Sequence, residues 1–209
     1  KVLEIGCGAG LVSSHIARSG AKLTAIDITK NAIEMTKKRF QLFKLNGDII
    51  KMNAEEMEFN DQTFDYVVTW GVIHHSGNMQ SILDEIHRVL KPGGEAFIMV
   101  YNKNSLRYQV YVKFWLGIMK MKRLKASVPE IAGSITDGYI ARHLKKEDFN
   151  QMASKYSEIK ITFSDEKTTI LKYLFGVGRI FTKLYFITSG FEKFLAKRWG
   201  WYLEAVVKK

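Results

Sequence analysis

A chain of 209 residues with 46% hydrophobic side chains is long enough to bury the core of one ordinary domain. Its single cysteine, Cys7, excludes an internal disulfide and a cysteine-built zinc site, which fits a reducing cytoplasm. No signal peptide opens the chain, and no uncharged apolar run of about 20 residues could span a bilayer. The net charge of +11 is lopsided, with 11 Lys and Arg against 12 Asp and Glu in residues 1–102 and 21 against 9 in residues 103–209. A basic second half points to an anionic partner (a membrane surface, an acidic substrate or nucleic acid) or simply to a solvated face.

The first apolar run, Val2-Leu3-Glu4-Ile5, breaks into Gly6-Cys7-Gly8-Ala9-Gly10. Glycines at alternate positions let the chain turn sharply from a strand into a helix over Leu11 to Ser19 and let a ligand approach bare backbone. The spacing is G-x-G-x-G, and Leu11 stands where a dinucleotide fingerprint requires its third glycine, which argues against a nicotinamide cofactor. A second strand, Leu23 to Ile26, ends at Asp27. In a doubly wound sheet the carboxyl ends of neighbouring strands face one crevice, where a carboxylate can accept two hydrogen bonds from a ribose diol.

Thr29 can cap the next helix, with Ala32, Ile33, Met35 and Phe40 on one face. Asn46-Gly47 ends it, Ile49 to Met52 reads as a third strand, and Phe64 to Trp70 as a fourth. Asn78 caps a helix carrying Met79, Ile82, Leu83, Ile86, Val89 and Leu90, which Lys91-Pro92-Gly93-Gly94 stops ahead of a fifth strand at Glu95 to Tyr101. This alternation predicts βαβ units and a mainly parallel sheet. Residues 105–125 are apolar and aromatic with interspersed cations, 127–138 have loop composition, and Lys145 to Tyr156 reads as a helix. Glu158 to Ser164 alternates as a strand, 168–188 repeat the aromatic-basic helical pattern, and Trp201 to Val207 is the last strand.

VLEIGCGAG, the AID ending at Asp27, NAEEMEF at 53–59, FDYVVTWGVIHH at 64–75 and EIHRVLKPGG at 85–94 together resemble the class I S-adenosylmethionine (SAM)-dependent methyltransferases. The likeness covers about half the chain and is nearest to the ubiquinone/menaquinone-biosynthesis and natural-product types. It implies an α/β fold: a Rossmann-like, seven-stranded, mostly parallel sheet with helices on both faces and a C-terminal antiparallel hairpin of Ile159–Phe163 and Tyr202–Val207. The 209 residues form one methyltransferase domain on this reading, with a cofactor half at 1–102 and a substrate or lid half at 103–209 carrying insertions at about 105–125 and 168–188. Helices that precede the first strand in the family are not in this sequence, so part of the lid is expected to be missing.

The resemblance also implies site roles. Gly6, Gly8 and Gly10 pass under the methionine portion of SAM with loop amides exposed, and Glu4 sits at the family's acidic position beneath them. Cys7 occupies a position where the family often has Cys, and no basic partner supports a reactive thiol. Asp27 holds the ribose or, on the plainer reading, caps a turn. Ile28 packs on the adenine, while Asn53 accepts from its amino group and the Ala54 amide reaches a ring nitrogen. Trp70, Gly71, His74 and His75 lie where the methionine end of SAM meets the acceptor. His75 is the candidate base, with His74 beside it, because imidazoles ionise near neutrality; both can equally shape the site. Adjacent rings rarely face one ion, so no metal is expected. His15 and His87 look structural, and Tyr101, Asn102, Tyr139, Arg142 and His143 flank the acceptor side.

The expected function is transfer of a methyl group from SAM to oxygen, carbon or nitrogen of a small molecule, possible acceptors including anionic and lipid-like ones. The rivals are a non-catalytic SAM-binding or membrane-associated partner protein and, less favoured, an NAD-dependent oxidoreductase. Nucleic acid is disfavoured: no N/D-P-P-Y/F follows the fourth strand and no RNA-recognition signature or zinc finger occurs. The aromatic-basic helices either cover the pocket or lie on an anionic membrane, which allows a cytoplasmic protein peripheral to the membrane. The oligomeric state is left open.

Overall fold

The computed structural model describes residues 1–110, 112–113, 127, 130, 141–165 and 194–209. The helix expected at 168–188, Tyr139, and most of the 105–125 and 127–138 segments lie outside the described residues.

Strands β1 (Val2–Ile5), β2 (Leu23–Asp27), β3 (Asp48–Lys51) and β4 (Phe64–Trp70) pair in parallel, with Val2 beside Leu23 and Tyr66, and Thr24 beside Asp48. Parallel strands are covered on both faces, which is why Leu3, Ile5, Ala25, Ile26 and Val67 are all buried. Helix α1 (Leu11–Arg18) joins β1 to β2, α2 (Lys30–Phe43) joins β2 to β3, and α3 (Met79–Val89) follows β4. Thr29 Oγ1 accepts from the Ala32 amide at 3.3 Å and Asn78 Oδ1 from Ser81 at 3.2 Å, so both expected caps form. The inward face of α2 is Ala32, Ile33, Thr36 and Phe40. Met35, expected on that face, is exposed. At 3.6 residues per turn it falls roughly 60° outside the stripe.

The fifth strand starts earlier than expected. β5 runs from Leu90 to Asn102, so the Lys91-Pro92-Gly93-Gly94 stretch belongs to the strand, after α3 has ended at Val89. The reason is a tertiary partner: the Gly93 amide donates to the Lys209 carbonyl at 3.2 Å, and the Lys209 amide to the Gly94 carbonyl at 3.0 Å. A two-residue strand not foreseen from sequence, β6 (His143–Leu144), pairs in parallel with Tyr101 and Asn102. Helix α4 is shorter than expected, Lys146–Met152. β7 (Glu158–Ser164) and β8 (Tyr202–Lys208) complete the sheet, whose order is β3-β2-β1-β4-β5-β8-β7 with β6 off that path. Asn102 bonds Trp201 at one end of β5, and Gly93 and Gly94 bond Lys209 at the other; β8 therefore runs antiparallel to β5. Ser157 bonds Lys208, and Ser164 bonds Glu204, so β7 opposes β8, as the C-terminal hairpin requires.

The chain divides into two compact units. The first comprises Lys1–Ile98, Asn150–Lys160 and Ala205–Lys209, and the second Met99–Phe149 and Ile161–Glu204. In the first, Arg88 donates to Glu85, Asp61 and the carbonyls of Met57 and Phe59, tying the loop after β3 to α3. In the second, His143 lies among the rings of Tyr101, Tyr108 and Trp201, at centroid distances of 5.3, 4.6 and 4.9 Å. Among the described residues no helix is long and apolar enough to cross a membrane.

Candidate functional site

The carboxyl ends of β1 to β4 enclose a cleft of about 270 Å³ within the first unit. Its base is Ile5, Gly6 and Ile26, and one side is Asp27 and Ile28 from the end of β2. Asn53 and Ala54 come from the turn after β3, and Val72 and His75 from the turn after β4. Sequence reasoning placed Gly6, Asp27, Ile28, Asn53, Ala54 and His75 here, and all six line the cleft.

Gly6 has φ +79°, and a methyl group on it would lie 2.2 Å from Val72 Cγ2, so the loop after β1 rests directly on the turn after β4. Gly8 has φ +52° and open space where a side chain would stand. The loop amides correct an expectation. Those of Gly6 and Cys7 both donate to the Ile26 carbonyl, Gly10 donates to Cys7, and Gly8 donates to Asp27 Oδ2 at 3.1 Å. The loop therefore offers a bare, closely approachable surface rather than a nest of free donors.

Asp27 caps the turn that follows β2, the plainer of the two roles weighed for it, and also lines the cleft. Its Oδ1 accepts from the Thr29 amide at 2.9 Å and the Thr29 hydroxyl at 2.8 Å, the bonds of an Asx turn. Its Oδ2 accepts from Gly8 and, having two lone pairs, keeps capacity for a ligand hydroxyl. Asn53 makes a second Asx turn, its Oδ1 accepting from the Glu55 amide at 3.1 Å.

Other predicted site residues point elsewhere. Glu4 is buried beneath the loop and accepts a hydrogen bond from the Ser13 hydroxyl. Burial pushes its carboxyl up to about 7, against the opposing pull of Ser13 and with a small push from Asp27. The Cys7 side chain faces the core formed by Leu23, Ala25, Ile33 and Phe40, where burial pushes its thiol up to about 11; only its backbone belongs to the loop. Gly10 caps α1 in a left-handed conformation, away from the cleft wall. Trp70 is half-exposed and stacked on Phe97 at 5.7 Å, and neither it nor Gly71 lines the cleft.

The two histidines separate. They share a 3₁₀ turn, Ile73–His75, whose three residues per turn aim successive side chains about 120° apart. His74 is fully buried and off the cleft, while His75 lines it. Only His75 is placed to face a ligand. Cleft residues that sequence reasoning missed are Ile5, Ile26, Met52, Glu55, Val72, Ser76, Gly77 and Ile82. Glu55 carried a signal in NAEEMEF, but nothing there says which of its acids turns inward. Among the described residues no cluster of three metal-binding side chains occurs.

Strand order, glycine loop and a cleft with an acid at the end of β2 define a Rossmann-like fold with its candidate site at the carboxyl ends of the strands. Residues 3–98 match the methyltransferase domain family model. The chain is 30% identical over 134 residues to the mitochondrial ubiquinone biosynthesis O-methyltransferase of Rattus norvegicus, covering 62% of this chain and 37% of that protein. A SAM-dependent methyltransferase structure from Methanosarcina mazei superposes with a TM-score of 0.65 at 20% identity, covering 100% of this chain and 91% of that one. The [4+2]-cyclase SpnF superposes at 0.62 with 14% identity, covering 100% and 73%. Residues 3–98 thus carry a methyltransferase domain, and over the rest of the chain the likeness to SAM-dependent methyltransferases is one of fold. It spans between about a third and a half of the length of the curated relatives it matches. A cyclase on the same fold means that the reaction must be argued from the site.

Proposed function

We propose that the protein transfers a methyl group from SAM to a small-molecule acceptor, with a hydroxyl oxygen as the first acceptor atom to test. The observation that carries this reading is the Asp27 carboxylate at the end of β2, facing a cleft floored by Gly6. That arrangement suits an adenosine: a diol at Asp27, an apolar base face against Ile28, and Asn53 with Ala54 at its edge. SAM supplies an activated methyl when bound. The chain then has to hold donor and acceptor in line and receive the acceptor's proton, for which His75 stands on the cleft wall. Gly6 shapes the floor, with Glu4 buried beneath the glycine loop and Cys7 packed into the core behind it. The curated relatives named for ubiquinone biosynthesis support an oxygen acceptor and a lipid-like one.

Calorimetry tests the cofactor. Wild-type protein should bind SAM and S-adenosylhomocysteine, and Asp27→Ala should bind about tenfold to a hundredfold more weakly, since hydrogen bonds to a charged group contribute about 1.5–3 kcal/mol. Unchanged affinity in Asp27→Ala removes this residue from the site.

The basic excess in residues 103–209 supports a second element, a cytoplasmic protein that attaches peripherally to anionic membrane to reach its acceptor. Each Lys or Arg near such a surface adds about 1 kcal/mol, so attachment should be salt-sensitive. Sedimentation with anionic and neutral liposomes at low and high salt measures it. Equal and negligible binding to both leaves a soluble acceptor as the better reading.

A further inference from the structure

Two loops wall the cleft, and the sheet itself does not join them. One follows β3 and carries Asn53 to Met57; the other follows β4 and carries Val72 to Asn78. In the strand order β3-β2-β1-β4 they are separated by the full width of β2 and β1. β2 ends in Asp27 and β1 leads into Gly6, so any bond between the loops crosses over the candidate cofactor site.

Glu55 makes that bond. Its amide is held by Asn53 Oδ1, which fixes the direction of the turn. Its Oε1 accepts from the Ser76 hydroxyl at 2.5 Å and from the Asn78 amide at 3.0 Å. The Asn78 amide also reaches Ser76 Oγ at 3.0 Å, closing a triangle of three polar groups. Asn78 in turn caps α3, and the Ser76 amide donates to Ile73, the first residue of the turn that ends in His75. One carboxylate thus connects the turn after β3, the turn bearing His75 and the start of α3. Hydrogen bonds to a carboxylate are about twice as strong as neutral ones, and here both donors come from the far loop.

We infer that Glu55 is a positioning residue of this site: it clasps the two loops across the ends of β1 and β2 and holds the His75 turn in place on the wall of the SAM cleft. The inference rests on the cofactor reading above for its consequence, and on the geometry alone for the clasp. Glu55→Ala removes the acceptor shared by Ser76 and Asn78. Glu55→Gln keeps an acceptor oxygen on a side chain of the same length and should restore most of what alanine loses.

The test combines hydrogen exchange with calorimetry on the full chain. In the ligand-free protein, Glu55→Ala should raise deuterium uptake across residues 73–78 and leave α2 as in wild type, and its SAM affinity should fall roughly tenfold. Glu55→Gln should return both readings close to wild type. Ser76→Ala should cost less in the Glu55→Ala background than in wild type, because the bond from the Ser76 hydroxyl to Glu55 is then already gone and the one from Asn78 to Ser76 remains to be lost. Wild-type uptake at 73–78 with wild-type affinity in Glu55→Ala overturns the inference. If the wild-type chain gives no heat with SAM, the cofactor reading fails while the uptake comparison still decides the clasp. Should Glu55→Ala not fold, Ser76→Ala carries the same comparison, with raised uptake supporting the clasp and unchanged uptake overturning it.

Discussion

Exchanging His75 for alanine should lower methyl transfer by about a hundredfold to ten-thousandfold, the usual contribution of a positioned base, while leaving SAM affinity nearly intact. The expectation follows from the 3₁₀ turn, which sends His74 into the core and leaves His75 on the cleft wall. Transfer of a labelled methyl group from SAM into a metabolite extract supplies the readout whatever the acceptor is. His74→Ala makes an instructive contrast. It removes a fully buried side chain, so its loss should appear first in thermal stability. Near-normal turnover in His75→Ala would leave alignment of donor and acceptor as the whole contribution of the chain.

The division between what the residues announced and what needed coordinates follows the range of the interactions. The caps Thr29 and Asn78 and the turn at Asp27 are local signals, each readable within a few positions, and the first two fell where expected. The apolar stripe of α3 was readable for the same reason. The early start of β5 was not, because Pro92 and two glycines are punctuation by local rules, and only pairing with Lys209 at the other end of the chain makes them strand. The internal use of the glycine-loop amides depends on the Ile26 carbonyl of a neighbouring strand. Glu55 is the sharpest case. Three acids stand at 55, 56 and 58, and nothing short of the 21-residue separation to Ser76 being closed in space selects the first. His74 and His75 likewise differ only through the tightness of the turn that carries them.

Glu4 leads to the last expected result, a pH dependence of stability. In the fold its carboxyl is pushed from 4.5 up to about 7, chiefly because burial disfavours the charged form. A proton held more tightly in the folded than in the unfolded chain stabilises the fold fully below about 4.5, and that contribution is lost as pH rises through 7. The shift corresponds to at most about 3 kcal/mol across the window. Asp65, Asp84 and Glu85 are shifted the other way by hydrogen bonds from Lys91, Lys155 and Arg88, so their contributions fade only toward acid and stay constant here. Urea titrations at pH 5.5 and 8.5, about one and a half units on either side of Glu4's shifted value, isolate the effect. Wild type should lose stability between the two, while Glu4→Gln, which keeps an acceptor for the Ser13 hydroxyl and carries no ionisable proton, should lose less. The difference between the two slopes is the quantity to read, since it cancels every other titrating group. Parallel slopes would mean that Glu4 ionises inside the fold without penalty, which requires water to reach it beneath the glycine loop.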